Sequence, residues 1–418
     1  MAKKQWRFDT LAVHLGNQPE QWQGATQAPI YMSASHRYRS AEELSRVFAG
    51  KRPGYIYQRM HNPTSRVLED RLAGLESGER CLLTASGMAA ITSTMLTFAP
   101  SGTEIVAGNS LFLSTYVFFT GFLPRFGVKV RFAETSKPSE FKAVINSRTR
   151  AIYLESIGNP RMDVPDLKQI CRVAHEQGVP VVVDNTLATP YLLRPIDLGA
   201  DIVIHSTTKF LNGHGSAVGG AVVDAGRFDY AGGRFPDFNV AVRRAGKRQA
   251  FFDKLWREVF IVLGACQSPF HSFLTLLGIE TLALRMQRHL DNARKLAGFL
   301  EQHPKVKWVN YPGLKSSPFH QTARRQFAGK GYGSLLTFGL KDQAQCFKFI
   351  RSLELCSNLA NLGDAKTLVI HPYSSQYVAF REETKKALSI KPEMIRVSVG
   401  LEAVEDIIED FARALKKI

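Results

Sequence analysis

Between about residue 80 and residue 225, short apolar runs alternate with segments of helical spacing. The runs are Cys81 to Thr84, Glu104 to Ala107, Lys129 to Phe132, Ala151 to Leu154, Val179 to Val183, Asp201 to His205 and Gly220 to Val223. One intervening segment, Asp166 to Gln177, places Leu167, Ile170, Cys171 and Ala174 at i, i+3, i+4 and i+7, and Gly178 supplies its stop. This rhythm predicts an α/β fold with a mostly parallel sheet of seven strands covered by helices on both faces. In such a sheet, ligands gather beyond the carboxyl ends of the strands.

The rest of the chain is patterned differently. Residues 1–62 are irregular, with Pro29, Pro53 and several glycines, and read as an arm that packs on something else. Residues 63–263 hold the strand and helix alternation, interrupted by a Gly- and Arg-rich stretch from Gly226 to Lys247. Residues 264–418 mix long amphipathic segments, such as Ile279 to His303, with short strands, as in a smaller C-terminal α/β domain. At 418 residues the chain is long enough for two or three packed units.

Composition excludes several classes. No run approaches the ~18 apolar residues of a membrane span, and Met1-Ala2-Lys3-Lys4-Gln5-Trp6 lacks the apolar core of a secretion signal, so the expectation is a cytoplasmic protein. Five scattered cysteines (Cys81, Cys171, Cys266, Cys346, Cys356) argue against a disulfide framework and against a zinc site; no metal is expected. The formal charge of +17, from 54 basic and 37 acidic residues, would suit a nucleic-acid or membrane-surface partner. The basic residues are spread along the chain without a nucleic-acid motif, which favours solvated surface charge and neither of those partners.

Two strand ends carry chemistry. The run 201–205 leads through Ser206-Thr207-Thr208 into Lys209, and the run 179–183 ends in Asp184-Asn185-Thr186. Taken alone, a lysine after a strand is usually a solvated loop residue and an aspartate there often caps a helix. Together they suggest an amine that loses its proton and attacks a carbonyl, with a carboxylate to partner a protonated ring nitrogen. A phosphate seat is suggested where a strand gives way to a helix at Thr84-Ala85-Ser86-Gly87-Met88. Free N–H groups and the helix dipole there suit a dianion, although an ordinary Ser-Gly turn would look the same. Ser206 and Thr208 are candidates for further phosphate contacts.

The segments Tyr57-Gln58-Arg59-Met60-His61-Asn62-Pro63-Thr64, Ser86-Gly87-Met88, Asp184-Asn185-Thr186 and Ser206 to Gly215 resemble those of the pyridoxal-phosphate enzymes of Cys/Met metabolism, which include cystathionine γ-synthase, methionine γ-lyase and O-acylhomoserine sulfhydrylase. The resemblance runs from Thr10 to Gly400. It implies a fold-type-I transferase with pyridoxal 5′-phosphate as cofactor. Lys209 would hold the cofactor as a Schiff base and move protons, and Asp184 would keep the pyridine nitrogen protonated. Ser86, Gly87, Met88, Ser206 and Thr208 would cradle the phosphate, completed by Tyr57 and Arg59 of a neighbouring subunit. Phe112 would stack on the ring, Asn159 would lie near the phenolic oxygen, and Arg396 with Asn361 would bind the substrate carboxylate. A shared site implies at least a dimer, and the family usually forms homotetramers of such dimers.

Within the family, Gly226 to Pro236, Leu263 to Phe270, Val309 to Leu314 and Asn361 to Pro372 resemble the O-acetylhomoserine sulfhydrylase branch. This implies γ-replacement on an O-acyl-L-homoserine by sulfide or a thiol, giving homocysteine or methionine, with acetyl the expected acyl group. Phe112 stands where most of the family carries a tyrosine; it can stack but cannot donate a proton, and it resembles the O-succinylhomoserine branch, which leaves the acyl group open. Ser114 replaces the cysteine common in methionine γ-lyases and so weighs against γ-elimination. His371-Pro372-Tyr373-Ser374-Ser375-Gln376-Tyr377 departs from the usual pattern, and its two tyrosines are expected near the substrate mouth.

Overall fold

The computed structural model describes residues 6–418. All seven expected strands form, each within two residues of its expected ends: β1 Arg80–Thr84, β2 Glu104–Gly108, β3 Lys129–Ala133, β4 Thr149–Glu155, β5 Val181–Asp184, β6 Ile202–His205 and β7 Gly220–Asp224. They make one sheet in the order β1-β7-β6-β5-β4-β2-β3. Only β7 runs against its neighbours, so β1, β6, β5, β4, β2 and β3 all deliver their carboxyl ends to the same edge.

Alternate residues of each strand serve opposite faces, which is why the strands read as continuous apolar runs. Val181, Val183 and Val203 enter one core with Leu68 and Leu72 of helix Pro63–Leu75 and Ile170 of helix Leu167–Glu176. Val182, Ile202 and Ile204 enter the other with Ile91 and Met95 of helix Gly87–Phe98. Helix Leu167–Glu176 buries the four residues its spacing marked, and Asp166 caps it by accepting from the Gln169 N–H at 3.2 Å. The Gly- and Arg-rich stretch is not a mere interruption. It supplies Tyr230, Phe235 and Phe238 to the second core, where Tyr230 stacks on Phe238 at 5.0 Å and Phe98 on Phe251 at 4.7 Å.

A second sheet of five strands follows: β8 Trp308–Asn310, β9 Leu335–Gly339, β10 Ser357–Asn358, β11 Leu368–Ile370 and β12 Met394–Ser398, in the order β10-β11-β12-β9-β8. The amphipathic segment Ile279 to His303 is not one helix. Helix Pro269–Glu280 ends, Thr281 intervenes, and helix Leu282–Gln302 begins. That second helix is shared: Leu282, Met286 and Leu290 pack beneath the large sheet, whereas Leu296 and Leu300 pack with Leu336, Phe338 and Val397 of the small one.

All five cysteines are free. Among the described residues, no helix is long and apolar enough to cross a membrane and no cluster of three or more His, Cys, Asp or Glu side chains is spaced to hold a metal.

Candidate active site

A cavity of about 330 Å³ opens beyond the carboxyl ends of the parallel strands, closed on its other side by the small domain. Lys209, Asp184, Ser86, Gly87, Met88, Phe112, Asn159, Ser206, Thr208, Asn361 and Arg396 all line it. Residues 86 to 209 meet because the strands of the large sheet end at one edge, and the second sheet's region brings Asn361 and Arg396 to the same cavity, so that residues up to 310 positions apart in sequence (86 to 396) line it together.

Lys209 leaves the turn after β6, and its Nζ donates to Asn361 Oδ1 at 2.6 Å. Burial, aided by the positive charge of Arg396, lowers its pKa to about 8, which makes the neutral amine accessible near neutrality. Asp184, the last residue of β5, accepts from the Thr186 N–H at 2.9 Å and from the Tyr153 hydroxyl at 3.3 Å. Burial pushes its carboxyl above the ordinary aspartate value.

Beside Asp184 in register stands Glu155, the last residue of β4 and only 5% exposed. Its carboxylate accepts from the backbone N–H of Phe112 at 2.5 Å and of Asn159 at 3.2 Å, so one side chain ties two cavity-lining loops to the sheet. Burial first, and the adjacent Asp184 second, push its pKa well up. The sequence reading passed over Glu155 although it ends a strand just as Asp184 does. Its importance depends on β4 and β5 being neighbours, which chain order alone did not give.

At the other end of the cavity, Ser86 caps helix Gly87–Phe98 by accepting from the Ala89 N–H at 3.1 Å. Gly87 is needed there, since a Cβ would lie 2.7 Å from Ser206 Cβ. Gly220 opens β7 for a similar reason, as its Cβ would fall 2.2 Å from the Ser86 carbonyl oxygen. Two side-chain bonds brace the same region: Thr186 Oγ1 accepts from the Ser206 N–H at 2.8 Å, and Thr208 Oγ1 accepts from the Gly219 N–H at 3.0 Å.

The small domain contributes Arg396 from β12, 3% exposed. Its guanidinium donates to Asn159 Oδ1 at 3.3 Å and to the Asn361 carbonyl at 3.2 Å, yet none of the ion pairs among the described residues gives it a carboxylate. Burial lowers its pKa to about 10, so it stays charged near neutrality. A buried, ionised guanidinium facing a cavity without an acidic partner is costly unless an anionic ligand supplies one.

Tyr57 and Arg59 do not line this cavity. Tyr57 is 44% exposed, and Arg59 lies over its ring at 5.6 Å while donating to the Ile261 carbonyl at 2.5 Å. The expectation about the 371–377 segment is corrected in part. Tyr373 turns to the surface, where it donates to Glu382 at 2.8 Å, and Tyr377 is buried in a small cluster with Leu388 and Ile390. The segment reaches the cavity through Gln376 instead.

The family model of the Cys/Met metabolism PLP-dependent enzymes matches residues 9–416. The chain is 43% identical over 420 residues to O-acetyl-L-homoserine sulfhydrylase 1 of Thermus thermophilus, covering 98% of this chain and 100% of that protein. It is 42% identical over 423 residues to homocysteine synthase of Schizosaccharomyces pombe, covering 98% of each. Its fold matches, with a TM-score of 0.92 and 32% identity over 98% of this chain and 100% of the other, a Campylobacter jejuni protein assigned as an O-acetylhomoserine (thiol)-lyase whose crystal structure carries N′-pyridoxyl-lysine-5′-monophosphate. With a match over nearly its whole length and a cavity that joins a half-buried lysine, a strand-end aspartate and a helix N-terminus, the chain belongs to the Cys/Met metabolism PLP-dependent enzymes.

Proposed function

We propose that this protein replaces the acyloxy group of O-acetyl-L-homoserine by sulfide, forming homocysteine, and accepts thiols such as methanethiol in place of sulfide. The observation that carries this reading is the cavity lining: among the described residues, Lys209 and Arg396 are the only cations that line it, and apart from Asp184 and Glu155 its remaining wall is apolar or uncharged. One anionic end of an amino acid is provided for, and the γ-substituent meets neutral surroundings. The relatives named as O-acetyl-L-homoserine sulfhydrylase and homocysteine synthase support the same chemistry.

The residues present fit the cofactor. Pyridoxal phosphate, when bound, supplies an electron sink that acidifies hydrogens of the substrate's carbon chain. The N–H groups of Gly87 and Met88 at the start of a 12-residue helix, with the hydroxyls of Ser86, Ser206 and Thr208, would receive its phosphate. Asp184 would hold the proton on the ring nitrogen, Phe112 would stack on the ring face, and Asn159 would sit by the phenolic oxygen. Lys209 would anchor the cofactor and then carry protons to and from Cα and Cβ, a role that its lowered pKa suits. Arg396, oriented by Asn361, would pair with the substrate carboxylate.

The arm, residues 1–62, is proposed to complete a neighbouring subunit's site through Tyr57 and Arg59, in a homotetramer built of such dimers. Their exposure away from their own cavity supports this. Residues 63–263 and 264–418 would form the cofactor and small domains.

A succinyl ester would bring a second carboxylate into a site whose cations are already committed, Lys209 and the neighbouring subunit's Arg59 to the cofactor and Arg396 to the substrate carboxylate, and burying an unpaired carboxylate is costly. The acetyl ester is therefore expected to exceed the succinyl ester in kcat/KM with sulfide by about tenfold or more, equivalent to ~1.4 kcal/mol. Equal or reversed values in a steady-state comparison would contradict the acetyl assignment.

A further inference from the structure

We propose that Gln376 is the specificity-determining residue for the γ-substituent, its side-chain amide donating a hydrogen bond to the carbonyl oxygen of the acyl group. This rests on the γ-replacement reading above and assigns the part of the cavity that the cofactor and carboxylate contacts leave over.

Most polar side chains of the cavity are engaged within the chain. Asn361 holds Lys209, Asn159 holds Arg396, Thr186 holds the Ser206 N–H, and Glu155 takes two backbone N–H groups. Gln376 is half-buried, lines the cavity, and has no hydrogen bond to another side chain or backbone group among the described residues. Its backbone is nevertheless fixed on both sides. His371 is bonded through both ring nitrogens, to Ser374 Oγ and the Pro392 carbonyl, each at 2.7 Å, and the Tyr377 N–H donates to the Pro372 carbonyl at 3.1 Å. Tyr377 is then buried in a cluster with Leu388 and Ile390, against which Leu113 and Tyr116, just after Phe112, pack. An unpaired amide on a fixed turn is a preorganised donor.

The chemistry asks for a donor of this kind. In the net reaction the Cγ–O bond breaks with its electron pair leaving on the carboxylate, and the sulfur of hydrosulfide supplies the pair for the new Cγ–S bond. A carboxylate departs as an anion near neutral pH and needs no proton, so the missing hydroxyl at Phe112 is no handicap to it. What helps is a neutral N–H whose bond strengthens as charge gathers on the acyl oxygens. A thiolate leaving group, which gains more from a proton, is served less well.

The test uses the holoenzyme and two variants of similar side-chain shape, Gln376→Met, which removes the donor, and Gln376→Glu, which opposes the leaving charge. Two rates are compared in each: homocysteine formation from O-acetyl-L-homoserine and sulfide, and hydrogen exchange at Cα of L-norleucine in deuterated water, which involves no leaving group. The γ-replacement rate is expected to fall by about 10- to 100-fold, the equivalent of a hydrogen bond to a charged group, and by at least tenfold more than Cα exchange. Parallel losses in both rates, or no loss in either, would overturn the assignment. Failure of the wild-type enzyme to form homocysteine while it still exchanges the Cα hydrogen would instead count against the γ-replacement reading.

Discussion

Lys209→Ala is expected to lower the rate of homocysteine formation by about 10²- to 10⁴-fold, the range for a positioned general acid–base group, and to abolish the visible absorbance of the lysine-linked cofactor. Among the described residues, no other lysine lines the cavity to take its place. The folded state should persist, because the Lys209 side chain spends its hydrogen bond on Asn361 rather than on the core. The same residue sets a pH dependence in the wild-type apoenzyme. Burial and Arg396 lower its pKa to about 8, and only the neutral amine attacks a carbonyl. Cofactor capture should accelerate as pH rises toward about 8 and level off above it. A Lys209→Ala protein that retains the visible band and near wild-type turnover would remove the lysine from the chemistry.

Arg396→Ala should come next in size. Leaving a substrate carboxylate buried without its cation costs roughly 2–5 kcal/mol, so kcat/KM is expected to fall by about 30- to several-thousand-fold. The carboxylate is held both before and during reaction, so most of the loss should appear in KM rather than in kcat. Arg396→Lys should recover only part of it, because an ammonium keeps the charge but not the planar fork that binds a carboxylate through two parallel bonds. Steady-state kinetics with the acyl ester varied at saturating sulfide checks both variants. Full recovery by lysine would mean that charge alone, not geometry, recruits the substrate.

The sheet was legible in the sequence because its strands are buried on both faces, so Val181-Val182-Val183 or Ile202-Val203-Ile204 had to be apolar throughout. Lys209 and Asp184 were legible for the same reason, since a charge that interrupts such a run at its carboxyl end stands out. Glu155 ends a strand in the same way, but its place beside Asp184 comes from the order of strands in the sheet. The break at Thr281 was hidden because apolar residues continue at helical spacing on both sides of it and face the same core, Leu276 and Ile279 before it and Leu282 and Met286 after it. Gln376 could be quoted as a departure but not placed, because its direction is set by how the turn at His371 is tied to Pro392, 21 residues away, and by where Tyr377 finds its apolar neighbours. Contacts between distant segments of this sort leave no periodic trace.

The measurement closest to the central claim is the product balance of the purified holoenzyme with O-acetyl-L-homoserine, run with and without sulfide. The expected result is acetate and homocysteine in equal amounts when sulfide is present, with little turnover in its absence. Release of 2-oxobutanoate and ammonia at the same rate whether or not sulfide is added would contradict γ-replacement and make the enzyme a lyase.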